Sequence, residues 1–196
     1  TLRDVIGKKF DYLSRRYLLE AIKAKEAVPI VRKHMEMGRK VVVFHDYKKG
    51  GGFNPFNVSM GDAAGLDGAT EDTKALAAAI DSVKQKFAAL VNTPFQSLLS
   101  PIDVFSNEFP GVLLINGDEK KADLLARYKA FQDDATGPQV ALVQSAKNAG
   151  WSGHDTTGKH QRVLINLGQP TAPTLAIQQE GRIYRTGQVS NAIMRY

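Results

Sequence analysis

Apolar positions along the 196-residue chain follow two different periods, and their alternation predicts the fold. Short runs that are almost wholly apolar stand at 41–45, 112–116, 140–143 and 163–167, with a weaker one at 192–196. A short run with no polar alternation is the pattern of a strand buried on both faces, as in a parallel sheet. Between these runs the spacing turns helical. Leu13, Tyr17, Leu18, Ala21 and Ile22 recur at three and four, as do Leu124, Leu125, Tyr128 and Phe131 within 120–131, and a third such stretch covers 174–184. Strands alternating with helices predict an α/β fold, an open parallel sheet with helices on both faces. Functional residues are then expected at the carboxyl ends of the strands.

Two breaks in the pattern matter. Pro29 divides the first helical stretch, so a second helix is expected from 29 to 37, closed by Gly38. Residues 48–68 are loop-like, with Gly50-Gly51-Gly52 and Asn54-Pro55. Thr70 then reads as an N-cap with Glu71 and Asp72 in the first turn of a helix to about 91, and a further apolar stretch spans 95–105. The chain thus reads as a single domain, 1–196, with leading helices in 1–38 and a glycine-rich, mostly helical insertion at 48–110.

Composition narrows the chemistry. At 43% hydrophobic and 23% charged residues the chain can bury a real core. It has no cysteine, which excludes disulfides, zinc–thiolate sites and a cysteine nucleophile. No apolar run approaches the ~20 residues that cross a bilayer, and the start lacks a signal-peptide pattern. The expectation is a soluble intracellular protein, cytoplasmic or nuclear, without a membrane partner. A start on Thr1 and a stop at Tyr196 within an apolar run suggest a piece of something longer. The net charge of +6 is unevenly spread: 13 Lys/Arg face 6 Asp/Glu in residues 1–50, 3 face 7 in 51–110, and 10 face 7 in 111–196. The balance permits a polyanionic partner. The acidic middle fits either an insertion with its own surface or ordinary helical solvation.

No G-x-x-x-x-G-K-[ST] phosphate loop is present, nor an acidic pair at the end of an apolar strand to hold magnesium. His34, His45, His154 and His160 have no metal-ligand spacing, and no metal site is expected. The densest chemistry lies in Gln178-Gln179-Glu180-Gly181-Arg182-Ile183-Tyr184-Arg185-Thr186-Gly187-Gln188. Arg182 and Arg185 are three apart, expected on one helical face with Gln178 and Gly181 one turn earlier. Two forked, permanently charged donors aimed one way suit the spread negative charge of a transferring phosphoryl group; the alternative is that both pair with surface carboxylates. The strand end at Ser145, with small residues Ala146, Ala149 and Gly150 and the charge of Lys147, suits phosphate binding without base readout. Trp151 offers either a stacking ring for a base or a core residue.

The pattern Q-x-x-G-R-x-x-R-x-G-Q resembles motif VI of superfamily-two helicases and translocases. The strand 40–45 resembles motif IV. Leu114-Ile115-Asn116-Gly117-Asp118 followed by 127–134 is similar to the glycine-then-helix-then-Phe segment of the second lobe in these motors. Val140 to Ser145, with Lys147 and Gly150-Trp151-Ser152, resembles motif V. Gln188 and the approach 175–179 are similar to the Swi/Snf-type and strawberry-notch-like branches. The insertion matches neither.

The resemblance implies a RecA-like C-terminal lobe of an ATP-dependent DNA helicase or translocase, acting on DNA or RNA, inactive without its N-terminal RecA-like lobe. That lobe would hold most of the ATP and Mg²⁺. Arg185 would be the main arginine finger and Arg182 its partner. Gln178, Gly181, Gly150 and Ser152 would border the nucleotide, and Ser145, Lys147 and Gly117 the nucleic acid. Many relatives have Asp where this chain has Ser152. A non-catalytic RecA-like nucleic-acid or protein-binding module is the competing expectation.

Overall fold

The structure, a computed structural model, describes residues 1–50, 54–64, 73–117, 120–147, 150–168, 170 and 172–196, the side chains of residues 96, 121 and 147 excepted. The expected N-cap at Thr70 with Glu71 and Asp72, and Gly51-Gly52, lie outside these.

All five apolar runs become strands of one sheet: β1 (Lys40–His45), β2 (Leu113–Ile115), β3 (Val140–Gln144), β4 (Arg162–Asn166) and β5 (Ile193–Arg195). The order is β2-β3-β1-β4-β5 and every neighbouring pair is parallel. Central β1 sets Val41 opposite Val140 on one side and Val163 on the other, which explains why its side chains from Lys40 to His45 are all buried. Chain connections from β1 and β4 leave the sheet in opposite directions, and between two such strands an α/β sheet opens a crevice at its carboxyl edge.

The chain divides into two compact units, residues 20–48 with 100–196, and residues 1–19 with 49–99. In the first, the even-spaced side chains of each strand separate onto two faces. Val41, Val43, Val140, Leu142, Val163 and Ile165 pack with Ala24, Ala27 and Val31 of α2 (Tyr12–Glu36) and with Val104 and Phe105 of α5 (Pro101–Glu108). Val42, Phe44, Ala141, Val143 and Leu164 pack with Phe131 of α6 (Lys121–Gln132), Trp151 and Ile183. Residues 101–108, expected in the insertion, therefore belong to the sheet's core. Apolar spacing had to be resolved by packing there, and Ser100 caps the helix by accepting from the Asp103 N–H.

Pro29 does not divide α2, which runs unbroken through it. An interior proline deletes one backbone hydrogen bond. The burial of Ala24, Ala27 and Val31 along the sheet-facing stripe outweighs that loss.

In the other unit, α1 (Leu2–Lys9) and α3 (Thr73–Lys86), which α4 (Ala88–Val91) follows, pack with residues 58–63 into a small core of Val5, Val58, Ala63 and Ile80. Lys9 ties α1 to the loop by donating to Asp62 at 2.9 Å and to the Asn57 carbonyl at 2.6 Å. This unit is mostly helical. Among the described residues no helix is long and apolar enough to cross a membrane.

Candidate functional site

Polar side chains collect at the carboxyl ends of the strands, where the last ladder positions give way to loops. Gln144, closing β3, accepts from the Gly117 N–H at 3.0 Å and donates to the Asp46 carbonyl at 3.3 Å. One side chain thereby fixes the loops that follow β2 and β1. Glu20, on α2 and only 2% exposed, accepts from the N–H groups of Asp46 and Tyr47 at 2.6 and 2.8 Å. A Cβ at Gly168 would stand 2.7 Å from Asp46 Oδ2 and 3.0 Å from Glu20 Oε1, so the loop after β4 also closes on these two side chains. His45 is fully buried beside them, with Nδ1 3.0 Å from the Tyr47 carbonyl. A carbonyl only accepts, so Nδ1 carries the hydrogen. Burial pushes this imidazole below its ordinary value, against the opposing pull of the Tyr47 carbonyl, and it is neutral at pH 7.

Across the sheet, Gln179 of α7 (Pro173–Glu180) is buried. It donates to Ser145 Oγ at 2.9 Å and accepts from Asn166 Nδ2 at 2.7 Å, joining α7 to the ends of β3 and β4.

The segment 151–155 forms the border of the arginine pair. Trp151 stacks on Tyr128 with centroids 5.3 Å apart and meets Phe131 edge-on at 6.0 Å, so of its two expected readings the core one holds. Gln132 donates to the Ser152 and His154 carbonyls at 2.6 and 3.2 Å. Buried Arg162 donates to the Gly153 carbonyl at 3.0 Å and to Asp134 at 3.1 Å. Asp134 also faces Lys40, 3.4 Å away, and both cations lie over the Phe131 ring. Burial raises the Asp134 carboxyl, yet the Thr157 hydroxyl and then Arg162 outweigh it and hold it below the usual range.

Arg182 and Arg185 do not share a helical face. Helix α7 ends at Glu180, and Arg182 and Ile183 continue it only as turns bonded to the carbonyls of Gln179 and Glu180. The charge of Arg185 nevertheless reaches Arg182. Burial first, and then the charge of Arg185, lowers the proton affinity of Arg182. Arg182, half-buried, donates to the Trp151 carbonyl at 3.0 Å, and its own carbonyl accepts from the Gly153 N–H at 2.7 Å. Arg185 is exposed and makes no ion pair among the described residues. His154 is kept neutral by burial and by the nearby charges of Arg185 and Arg162, against Asp155.

The other expected residues fall into two groups. Ser152 stands beside the arginines, but its hydroxyl is engaged with His154 Nδ1 at 2.6 Å. Gly150 precedes it with φ +88°, a conformation that side chains strain to adopt, and Gly181 caps α7 in an ordinary helical conformation. Gln178 is exposed. Gly117 and Ser145 flank Gln144 at the ends of β2 and β3; the Lys147 side chain lies outside the described residues. Glu20, Gln132, Gln144, Arg162 and Gln179 were not singled out from the sequence. Of these, Gln132, Gln144 and Gln179 lie inside the quoted stretches 127–134, 140–145 and 178–188, where no role was read for them. Among the described residues no group of three or more His, Asp or Glu side chains is placed to hold a metal.

No protein-family model matches the chain, and no curated protein matches it. Among solved structures, it is similar to Mss116p DEAD-box helicase domain 2 bound to an RNA duplex, at 13% identity and TM-score 0.46 over 89% of this chain and 50% of that one. It is also similar to S. cerevisiae Dbp5 bound to RNA and ADP BeF3, at 10% identity and TM-score 0.38 over 91% and 32%. The chain thus spans half and about a third of the length of those two.

Proposed function

We propose that this chain is the second, RecA-like lobe of a superfamily-two nucleic-acid motor, a helicase or translocase on DNA or RNA, completed by a first lobe carrying the phosphate loop. The observation that carries the proposal is the position of Arg185, exposed just beyond α7 and without an ion pair among the described residues, three residues after Arg182. Two guanidinium donors also match the oxygens of a phosphoryl group. The branch suggested by Gln188 is the Swi/Snf-type or strawberry-notch-like one.

In this reading Arg185 meets the γ-phosphate and Arg182, steadied by the Trp151 carbonyl, shares the charge. ATP with Mg²⁺, held mainly by the first lobe, supplies the phosphoryl group and the metal charge. Gly150, Ser152 and Gly181 border the nucleotide, and Gln178 couples the cleft to the nucleic acid. Gly117, Ser145 and Lys147 take the backbone of the strand. Contacts to phosphates give sequence-tolerant, salt-sensitive binding.

The test is nucleic-acid-stimulated ATP hydrolysis by this chain joined to a lobe with a phosphate loop, compared with the chain alone. Turnover only in the joined form supports the motor. Turnover by the chain alone contradicts it, and none in either form favours a non-catalytic binding module.

A further inference from the structure

A second cationic concavity uses none of the residues just described. It is a groove of about 520 Å³ between α2 and β5, lined by Pro29, Ile30, Lys33, His34, Met37, Arg39 and Arg195. The chain builds it simply. Residues 29, 30 and 33 follow one stripe of α2, with Met37 just past its end, and among the described residues β5 pairs with β4 alone. Ile193 packs into the core, and Arg195, two residues on, leans over the same face.

Three observations give the groove its chemistry. Arg39 is satisfied by neutral acceptors: Gln161 Oε1 at 2.8 Å, His34 Nδ1 at 3.0 Å and Met37 Sδ at 3.0 Å. Lys33 and Arg195 make no ion pair among the described residues. His34, 5% exposed, is held neutral chiefly by burial and then by Arg39, Arg195 and Lys33, all acting in one direction. Three cations therefore line the groove, and none of them forms an ion pair among the described residues. The remaining lining is aliphatic, with Ile30 44% and Met37 56% exposed.

We infer that this groove docks an acidic protein segment carrying aliphatic side chains, its carboxylates against Lys33, Arg39 and Arg195 and its aliphatic groups against Pro29, Ile30 and Met37. The volume lies within the roughly 300–1,000 Å³ of pockets that take a ligand of a few side chains. A helix stripe beside an open edge is a recurring seat for peptides, and exposed methionine adapts to aliphatic partners. A nucleic-acid strand fits less well, since bases stack on aromatic rings and the lining has none. The inference is independent of the motor reading.

The experiment is fluorescence anisotropy of the full chain with a labelled short peptide of Asp, Glu and Leu. A Glu-only peptide of equal length and an unlabelled oligo-dT strand serve as competitors. The double variant Lys33→Glu, Arg195→Glu should weaken the peptide about tenfold, and Ile30→Asp should weaken it without altering the charge of the arginines. Lys129→Glu, on α6, should leave it unchanged. Unchanged circular dichroism keeps the variants interpretable. Equal binding by the double variant, a Glu-only peptide as tight as the mixed one, or displacement of the peptide by oligo-dT would each overturn the proposal.

Discussion

The Gly153 N–H donates to the Arg182 carbonyl at 2.7 Å, so the strand-end segment and the arginine-bearing turn are one piece of backbone structure. The Arg182 guanidinium closes the same link through Trp151. A Cβ at Gly153 would fall 2.5 Å from the Trp151 ring, itself fixed against Tyr128 and Phe131. Gly153→Ala is therefore expected to destabilise by about 1–3 kcal/mol through overpacking. Urea unfolding should show a lower midpoint with an unchanged slope.

Gln178 and Gln179 are adjacent in sequence and opposite in consequence. Gln179→Ala removes both partners of a buried chain and should cost about 1–3 kcal/mol, since Ser145 and Asn166 are left unpaired. Gln178→Ala, at an exposed position, should stay within about 0.5 kcal/mol. Thermal melts of the two variants make the comparison.

The buried charges near the amino ends of β1 and β4 behave as a unit. Asp134→Ala removes the carboxylate facing Lys40 and Arg162, both 1% exposed, leaves them only neutral acceptors such as the Phe131 and Gly153 carbonyls, and should cost about 3–5 kcal/mol. A salt titration of stability should show little screening of this loss, unlike that of surface pairs.

Acid should destabilise the fold in two stages. His34, His45 and His154 all have folded values below their ordinary 6.5, chiefly from burial, so the stability they contribute is present above that value. It is lost as pH falls from about 6.5 through the folded values. For Asp155, burial raises the carboxyl, but the Ser190 hydroxyl and the Gly158 and Thr157 N–H groups outweigh it, and Asp134 is depressed likewise. Their contribution is present above about pH 3.8 and lost on acidification below it. Unfolding midpoints measured from pH 8 to 2 check both stages, and a flat profile contradicts the assignment.

The sheet was legible because each strand is apolar on both faces, and periodicity reports that directly. Strand limits shifted by a residue where Lys40 and Arg162 are buried, since nothing in a lone charged residue at a strand's start announces an internal partner such as Asp134. Pro29 misled for a related reason: sequence records the lost hydrogen bond but not the packing of Ala27 and Val31 that outweighs it. The arginine pair was legible as a pattern and not as a helix face, because α7 stops at Glu180. Glu20 had no sequence signal. It meets Asp46 and Tyr47 across some twenty-six residues, a contact that only the fold creates.

The central claim is that Arg185 completes a nucleotide site on a companion lobe. The most direct measurement is ATP binding and nucleic-acid-stimulated hydrolysis by the joined two-lobed protein carrying Arg185→Ala. The expected result is nearly unchanged ATP affinity with hydrolysis reduced by about 10³–10⁵. Retained turnover would contradict the role given to Arg185.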